Sequence, residues 1–295
     1  MKLQVGDLEI WILETGYFRL DGGAMFGLIP RTLWSQKLAP DEQNRIPLGL
    51  RTLLVKGPGY TAIVDAGMGS KWGAGGPKNF DLSVRPWSEI LAPTGVSPQD
   101  VDHVIATHLH FDHVGGLTEF SEDGTSLRPV FERAEHWVSQ RNWDFARDPG
   151  PRESASYRSE NWEPWARSGQ LRLVDIALSG DPQPLLPGLW AEASDGHTLG
   201  QMIVHLRSGR SEGNVVFCAD LLPTQYHIKE TWGMGFDLQP QVLLQEKRRF
   251  LESAARHDWG LILEHDPTRA LIRVEKTNSE SRGGNIQIRP DGGHL

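Results

Sequence analysis

A chain of 295 residues with net charge −8, 38% hydrophobic residues and one cysteine is long enough to bury a substantial core, offers nucleic acid no long-range attraction, and cannot form an internal disulfide. It contains no apolar run of about eighteen residues of the kind that spans a bilayer. The opening MKLQVGDLEIWIL carries Asp7 and Glu9 where a secretory signal would be apolar, so the expected location is the cytoplasm.

Apolar patterning predicts strands at about 3 to 14, 50 to 56 and 61 to 65, a helix near 86 to 93, and a strand at 101 to 107. Between the first two strands, LDGGAMFGLIP (20 to 30) reads as a glycine-punctuated loop. Residues 136 to 170, rich in aromatic side chains among charges, read as a helical insertion whose aromatics either pack it onto the core or in part line the substrate pocket. A second half begins near LRLVDI (171 to 176) and leads to an amphipathic helix at about 240 to 257, in which Lys247-Arg248-Arg249 is expected on the solvated face. Two β-then-α halves imply an α/β fold, a four-layer αββα sandwich, over 1 to 275, followed by a polar tail, 276 to 295. Cys218, inside VVFCAD, reads as a buried structural thiol.

The chemistry concentrates in THLHFDHVGG, 107 to 116, where a buried strand opens into a loop. His108 and His110 are two residues apart and leave an extended chain on the same side. Asp112 and His113 must diverge, and Gly115 and Gly116 let the chain bend closely enough to aim this second pair near the first. Two neighbouring metal ions are the natural reading, and they require more ligands downstream. Three strand-end loops supply candidates: His197 in ASDGHTLG, Asp220 after NVVFCA, and His265 after GLILE. His103, His136, His205, His257 and His294 stand outside this set and read as structural or solvent-facing.

The pattern His-x-His-x-Asp-His with a distant His, Asp and His resembles the metallo-β-lactamase-fold hydrolase superfamily, over roughly residues 1 to 270, and AIVDAGMG (62 to 69) is similar to its first motif. The resemblance implies the same αββα sandwich. It places His108, His110 and His197 on one divalent ion and Asp112, His113 and His265 on the other, with Asp220 bridging them and Asp65 supporting a ligand histidine from behind. It puts Asp220 and Asp112 at the reacting centre. Imidazole and carboxylate donors without thiolate suit zinc first, with iron, manganese and cobalt compatible. Such a pair lowers the pKa of bound water from about 15.7 toward about 7 and holds the resulting hydroxide for attack on a carbonyl or phosphoryl centre. Asp220 can take the proton and pass it to the leaving oxygen.

Within the superfamily the chain looks most like the acyl-homoserine lactonase and methyl-parathion hydrolase branch, which implies hydrolysis of a lactone, carboxylic ester or phosphotriester. Lactonases of that branch carry a tyrosine three residues after the bridging aspartate; this chain has Pro223 there and Tyr226 three residues further on. Met25, Phe26, Tyr226, Trp232, Met234 and Phe236 are the expected lining of an apolar substrate pocket. The alternatives are a glyoxalase II-like thioesterase, which would want cations such as Arg269, Arg273 or Lys276, then an iron-dependent oxidoreductase, and a metal-binding protein without catalysis. The expected partner is a small molecule, with neither nucleic acid nor membrane; a homodimer is compatible with the sequence. Two patterns are decoys. GRSEG (209 to 213) matches a serine-nucleophile turn but lies between two strands, where a hairpin belongs. AGMGSKWGAGG (66 to 76) is glycine-rich without phosphate-loop spacing and reads as a turn beside the metal site.

Overall fold

The strand expected at 3 to 14 is two strands, Lys2–Val5 and Leu8–Asp21, because Gly6 takes a φ of 57° and turns the chain so that Val5 pairs back on Leu8. The structure, a computed structural model, describes residues 1–72, 80–209, 213–277 and 286–289. Contacts divide the chain into two units: Met1–Phe18, Leu50–Ile176 and Gly200–Met202, and Arg19–Gly49, Ala177–Leu199 and Ile203–Leu295.

The sheet of the first unit runs in the order Lys2–Val5, Leu8–Asp21, Arg45–Gly57, Tyr60–Val64, His103–Ile105, Glu135–Ser139, Leu171–Val174, with Ser83–Val84 pairing on Leu8–Asp21. Its last four strands are parallel, so their carboxyl ends lie along one edge, where loops commonly carry function. Val64 is paired with Ile105, and Asp65 and the Thr107 loop therefore leave the sheet side by side. The apolar residues Ile63, Val104, Val138, Leu109 and Phe131 form the core beneath that edge.

The second unit is built on a sheet ordered Gln183–Leu186, Leu189–Ser194, Gln201–Leu206, Val215–Phe217, Gly260–Ile262, Leu271–Ile272. Val215–Phe217 and Gly260–Ile262 run parallel, joined by the helix Pro240–His257. Leu243, Phe250, Leu251 and Ala254 recur at helical spacing and pack with Val216, Leu261 and Leu263. Asp258, left-handed at φ 52°, ends the helix. Both sheets with their helices make the mixed α/β architecture expected. No helix among the described residues is long and apolar enough to cross a membrane.

Several expectations need correcting. Residues 136 to 139 are not the start of a helical insertion; they belong to the strand Glu135–Ser139 inside the first sheet, and the helix Gln140–Arg147 follows, capped by Ser139. Leu171–Val174 does not open the second half, because it is the parallel edge of that same sheet. The aromatic side chains between them do pack the core: Tyr157, Trp162 and Trp165 are buried in it, with Trp143 and Phe145 against them. Residues 22 to 26 form a short helix, where a loop was expected, because Asp21 accepts a hydrogen bond from Ala24 N and caps it. Lys247 is buried rather than solvated. Gln201–Leu206 and Val215–Phe217 pair antiparallel as a hairpin requires, although Arg210, Ser211 and Glu212 of GRSEG lie outside the described residues. So do residues 73–76 of the glycine-rich stretch and most of the tail, including His294. The tail segment Ile286–Ile288 pairs with Val274–Lys276. Cys218 is buried, and burial pushes its thiol pKa up.

His136 gives the first unit an acid-labile point. Its ring stacks on Trp165 at 4.8 Å, its Nδ1 faces Ala134 O, and burial holds its pKa at about 3, against 6.5 for an ordinary histidine. The unfolded chain therefore takes up a proton near pH 6.5 that the folded chain refuses until about pH 3, so stability falls as pH drops through that window. The loss is on the order of 3 kcal/mol by pH 4. His136→Phe, which keeps the stack, should lose about that much less than wild type between pH 7 and pH 4 in denaturant unfolding. Equal losses in the two proteins would clear His136 of the role.

Candidate metal centre

In the first unit the ligand loop is fixed by its backbone. Ala66 N donates to His113 O at 2.6 Å and Gly116 N to Gly67 O at 2.9 Å. A Cβ on Gly115 would sit 2.1 Å from Met68 O, and one on Gly116 2.1 Å from Ala66 O. Only glycine permits that approach, so the turn 66 to 69 and the loop after His113 are pressed backbone to backbone. Lys71, its pKa lowered to about 7 by burial, donates to Gly115 O from the same turn. Asn142, in the first turn of the helix Gln140–Arg147, accepts from Leu109 N at 2.8 Å and donates to Tyr157 Oη at 3.0 Å.

His108, His110 and His113 are buried and clustered, with ring centroids 4.5 Å apart for His108 and His110 and 4.0 Å for His108 and His113. Asp112 is half-buried. Behind them Asp65, itself at a left-handed φ of 54°, accepts from Thr107 N at 2.8 Å and Thr107 Oγ1 at 2.6 Å, and lies 2.9 Å from His113 Nδ1. The Thr107 hydroxyl has one proton, and it goes to Asp65. Thr107 therefore accepts from His108 Nδ1, 3.1 Å away. Both histidines thus carry their proton on Nδ1 and turn the Nε2 lone pair outward. His110 is arranged in the opposite sense: its Nε2 faces Glu153 Oε1 at 3.7 Å and its ring lies 4.6 Å from Tyr157.

The second unit shows the same design. His197 Nδ1 donates to Asp237 Oδ1 at 3.1 Å and His265 Nδ1 to Gly49 O at 3.0 Å, so both present Nε2. Asp220 divides its carboxylate between them, with Oδ2 3.2 Å from His197 Nε2 and Oδ1 3.3 Å from His265 Nε2. Ala219, at φ 44°, bends the chain immediately before it, a strained conformation of the kind functional sites retain. The expected ligands, four in the first unit and three in the second, are His and Asp side chains of the kind that could hold a metal ion. The donor set fits one: imidazole nitrogens oriented by partners on their far side, carboxylates, and no thiolate.

The six pocket candidates fall in the second unit, and the structure sorts them. Phe26 is fully buried, stacked between Trp34 at 5.5 Å and His227 at 5.1 Å with Trp232 edge-on, so it packs the unit and offers no face to a ligand. Met25, Trp232 and Met234 are buried, Tyr226 is half-buried, and Phe236 is exposed. Residue-by-residue reading missed Asp237, Glu153 and His227. His227 donates from Nε2 to Met25 O at 2.9 Å and accepts from Thr224 Oγ1 at 2.8 Å; burial lowers its pKa to about 4 and keeps it neutral. None of the three lies in a pattern that marks it.

Comparison with known proteins agrees with this chemistry. The metallo-beta-lactamase superfamily model matches residues 51–265. The crystal structure of a probable metal-dependent hydrolase from Staphylococcus aureus superposes with a TM-score of 0.83 at 29% identity, covering 98% of this chain and 99% of that one. The acyl-coenzyme A thioesterase MBLAC2 of Gallus gallus is 27% identical over 64% of this chain and 62% of its own length. An N-acyl homoserine lactonase of Bacillus thuringiensis is 24% identical over 60% of each. The chain thus spans less than two thirds of the length of these two curated relatives. With its matched region enclosing every ligand candidate from His108 to His265, the chain belongs to the metallo-β-lactamase superfamily of metal-dependent hydrolases.

Proposed function

We propose that this protein hydrolyses a small neutral lactone or carboxylic ester, with phosphotriesters within its chemical reach, at two divalent ions, zinc first. His108, His110 and His197 hold one, Asp112, His113 and His265 the other, and Asp220 is shared. What supports a shared carboxylate is the division of the two Asp220 oxygens between Nε2 of His197 and Nε2 of His265. When bound, such ions supply at neutral pH a nucleophile from water and an electrophilic partner for the substrate oxygen. The chain does the rest. Asp65 and Asp237 hold His113 and His197 in one tautomer, so their donor atoms need no reorganisation. Asp220 takes up the proton released as the bond to the acyl carbon forms and returns it to the leaving oxygen. Met25, Trp232, Met234, Phe236 and Tyr226 form the apolar side of the substrate site. The protein works on small molecules in the cytoplasm, without nucleic acid or membrane, and a homodimer fits this role.

Thioester hydrolysis is the second reading, favoured by the similarity to the chicken acyl-coenzyme A thioesterase. A glutathione thioester in particular would need free cations, and Arg273 is committed to Asp258 at 2.7 Å. The deciding measurement is the ratio of kcat/KM for a medium-chain lactone and for acyl-coenzyme A and glutathione thioesters at low and high salt. The lactone should be preferred, with little dependence on salt. A thioester that wins, and wins by more at low salt, would move the function to the second reading.

A further inference from the structure

Two consecutive charged residues of the helix Pro240–His257 are buried, which an amphipathic helix does not need for its own stability. Glu246 and Lys247 lose hydration that apolar side chains would not miss, and burial raises the pKa of the first and lowers that of the second to about 8. Each is spent on a different loop. The Glu246 carboxylate accepts from Ser194 Oγ at 2.7 Å, Asp195 N at 2.8 Å and Gly196 N at 3.1 Å, the three residues that lead into His197. The helix comes so close that a Cβ on Gly196 would sit 2.4 Å from Leu243 Cα. Gln239 N and Leu238 N close the other side of the loop, donating to Gly196 O and His197 O at 2.9 Å each.

Lys247 Nζ donates to Trp232 O at 2.6 Å and so anchors the turn 232 to 237. That turn ends in Asp237, whose Oδ2 accepts from Met234 N at 2.6 Å and whose Oδ1 accepts from His197 Nδ1. The backbone of His197 is therefore tied to Glu246 and its ring, through Asp237 and the anchored turn, to Lys247.

We infer that Glu246 and Lys247 act together as positioning residues for His197, one fixing its main chain and the other its imidazole. The inference rests on the reading of His197 as a metal ligand. Supporting partners of this kind typically change metal affinity by about 10- to 100-fold.

The test compares Glu246→Gln, Lys247→Met and Asp237→Ala with wild type and His197→Ala. Zinc affinity is measured by competition with a chelator, the visible spectrum after cobalt loading, and the melting temperature of metal-free protein. Each variant should weaken binding of one ion by about 10-fold or more and alter the cobalt spectrum, leaving the second ion in place. Lys247→Met combined with Asp237→Ala should weaken binding no further than Asp237→Ala alone, because Lys247 acts through Asp237. Lower melting temperatures with unchanged zinc affinity and an unchanged cobalt spectrum would reduce both residues to structural parts and overturn the inference. If His197→Ala itself binds zinc normally, the ligand reading fails first and the inference with it, an outcome that the other variants cannot mimic.

Discussion

Asp220→Asn is expected to lower turnover by roughly 10²- to 10⁴-fold, the range in which a positioned proton-transfer group contributes, while the fold survives. The amide keeps the shape of the carboxylate but loses its charge and one acceptor oxygen, replaced by an NH2 that can only donate. In the native chain both oxygens are engaged, one toward His197 Nε2 at 3.2 Å and one toward His265 Nε2 at 3.3 Å, so an amide must turn its NH2 toward one of the two histidines. On that side the NH2 donates to the Nε2 lone pair that would otherwise be left to a metal ion, the carboxylate oxygen there is gone, and no proton can be collected at the substituted position. Asp220 lies in the short 3-10 turn Ala219–Leu221 and contributes nothing to the sheet hydrogen bonds, so far-UV circular dichroism should match wild type. A variant that keeps near-normal turnover with its metals in place would remove Asp220 from the chemistry.

How much of this was legible in the sequence depended on how local each interaction is. THLHFDHVGG was readable because four ligand-type side chains and two glycines fall within nine residues, and the strand before it fixes their direction. The downstream ligands were readable because each ends an apolar run. The groups that orient those ligands act across the chain. Asp237 is 40 residues from His197 and Glu246 is 51 from Asp195, and nothing at either position distinguishes them from surface carboxylates. Helical periodicity placed Lys247 beside Arg248 and Arg249 but could not say that Lys247 alone turns inward. The strand Glu135–Ser139 was hidden for a related reason. It is five residues long, sits between parallel neighbours, and with Glu135, His136 and Ser139 lacks the continuous apolar run by which a buried parallel strand is recognised.

Removing metal should have the largest effect of all, with hydrolysis lost on chelation and restored by zinc. Purified protein should carry close to two ions per chain, since the seven ligands divide into two triads and one shared carboxylate. The chain supports this expectation through the histidine tautomers. The hydrogen-bonding partners of His108, His113, His197 and His265 hold the proton on Nδ1 and leave Nε2 to coordinate. Because the ligands come from four separate loops, the ions should also stabilise the folded chain, by about 2.7 kcal/mol each when free metal is a hundredfold above its dissociation constant. Metal-free protein should therefore melt several degrees lower, and both activity and melting temperature should rise together as zinc is returned, with full activity reached only as the second equivalent binds. Full activity at one equivalent would reduce the centre to a single working ion, and activity that survives complete chelation would sink the metal mechanism altogether.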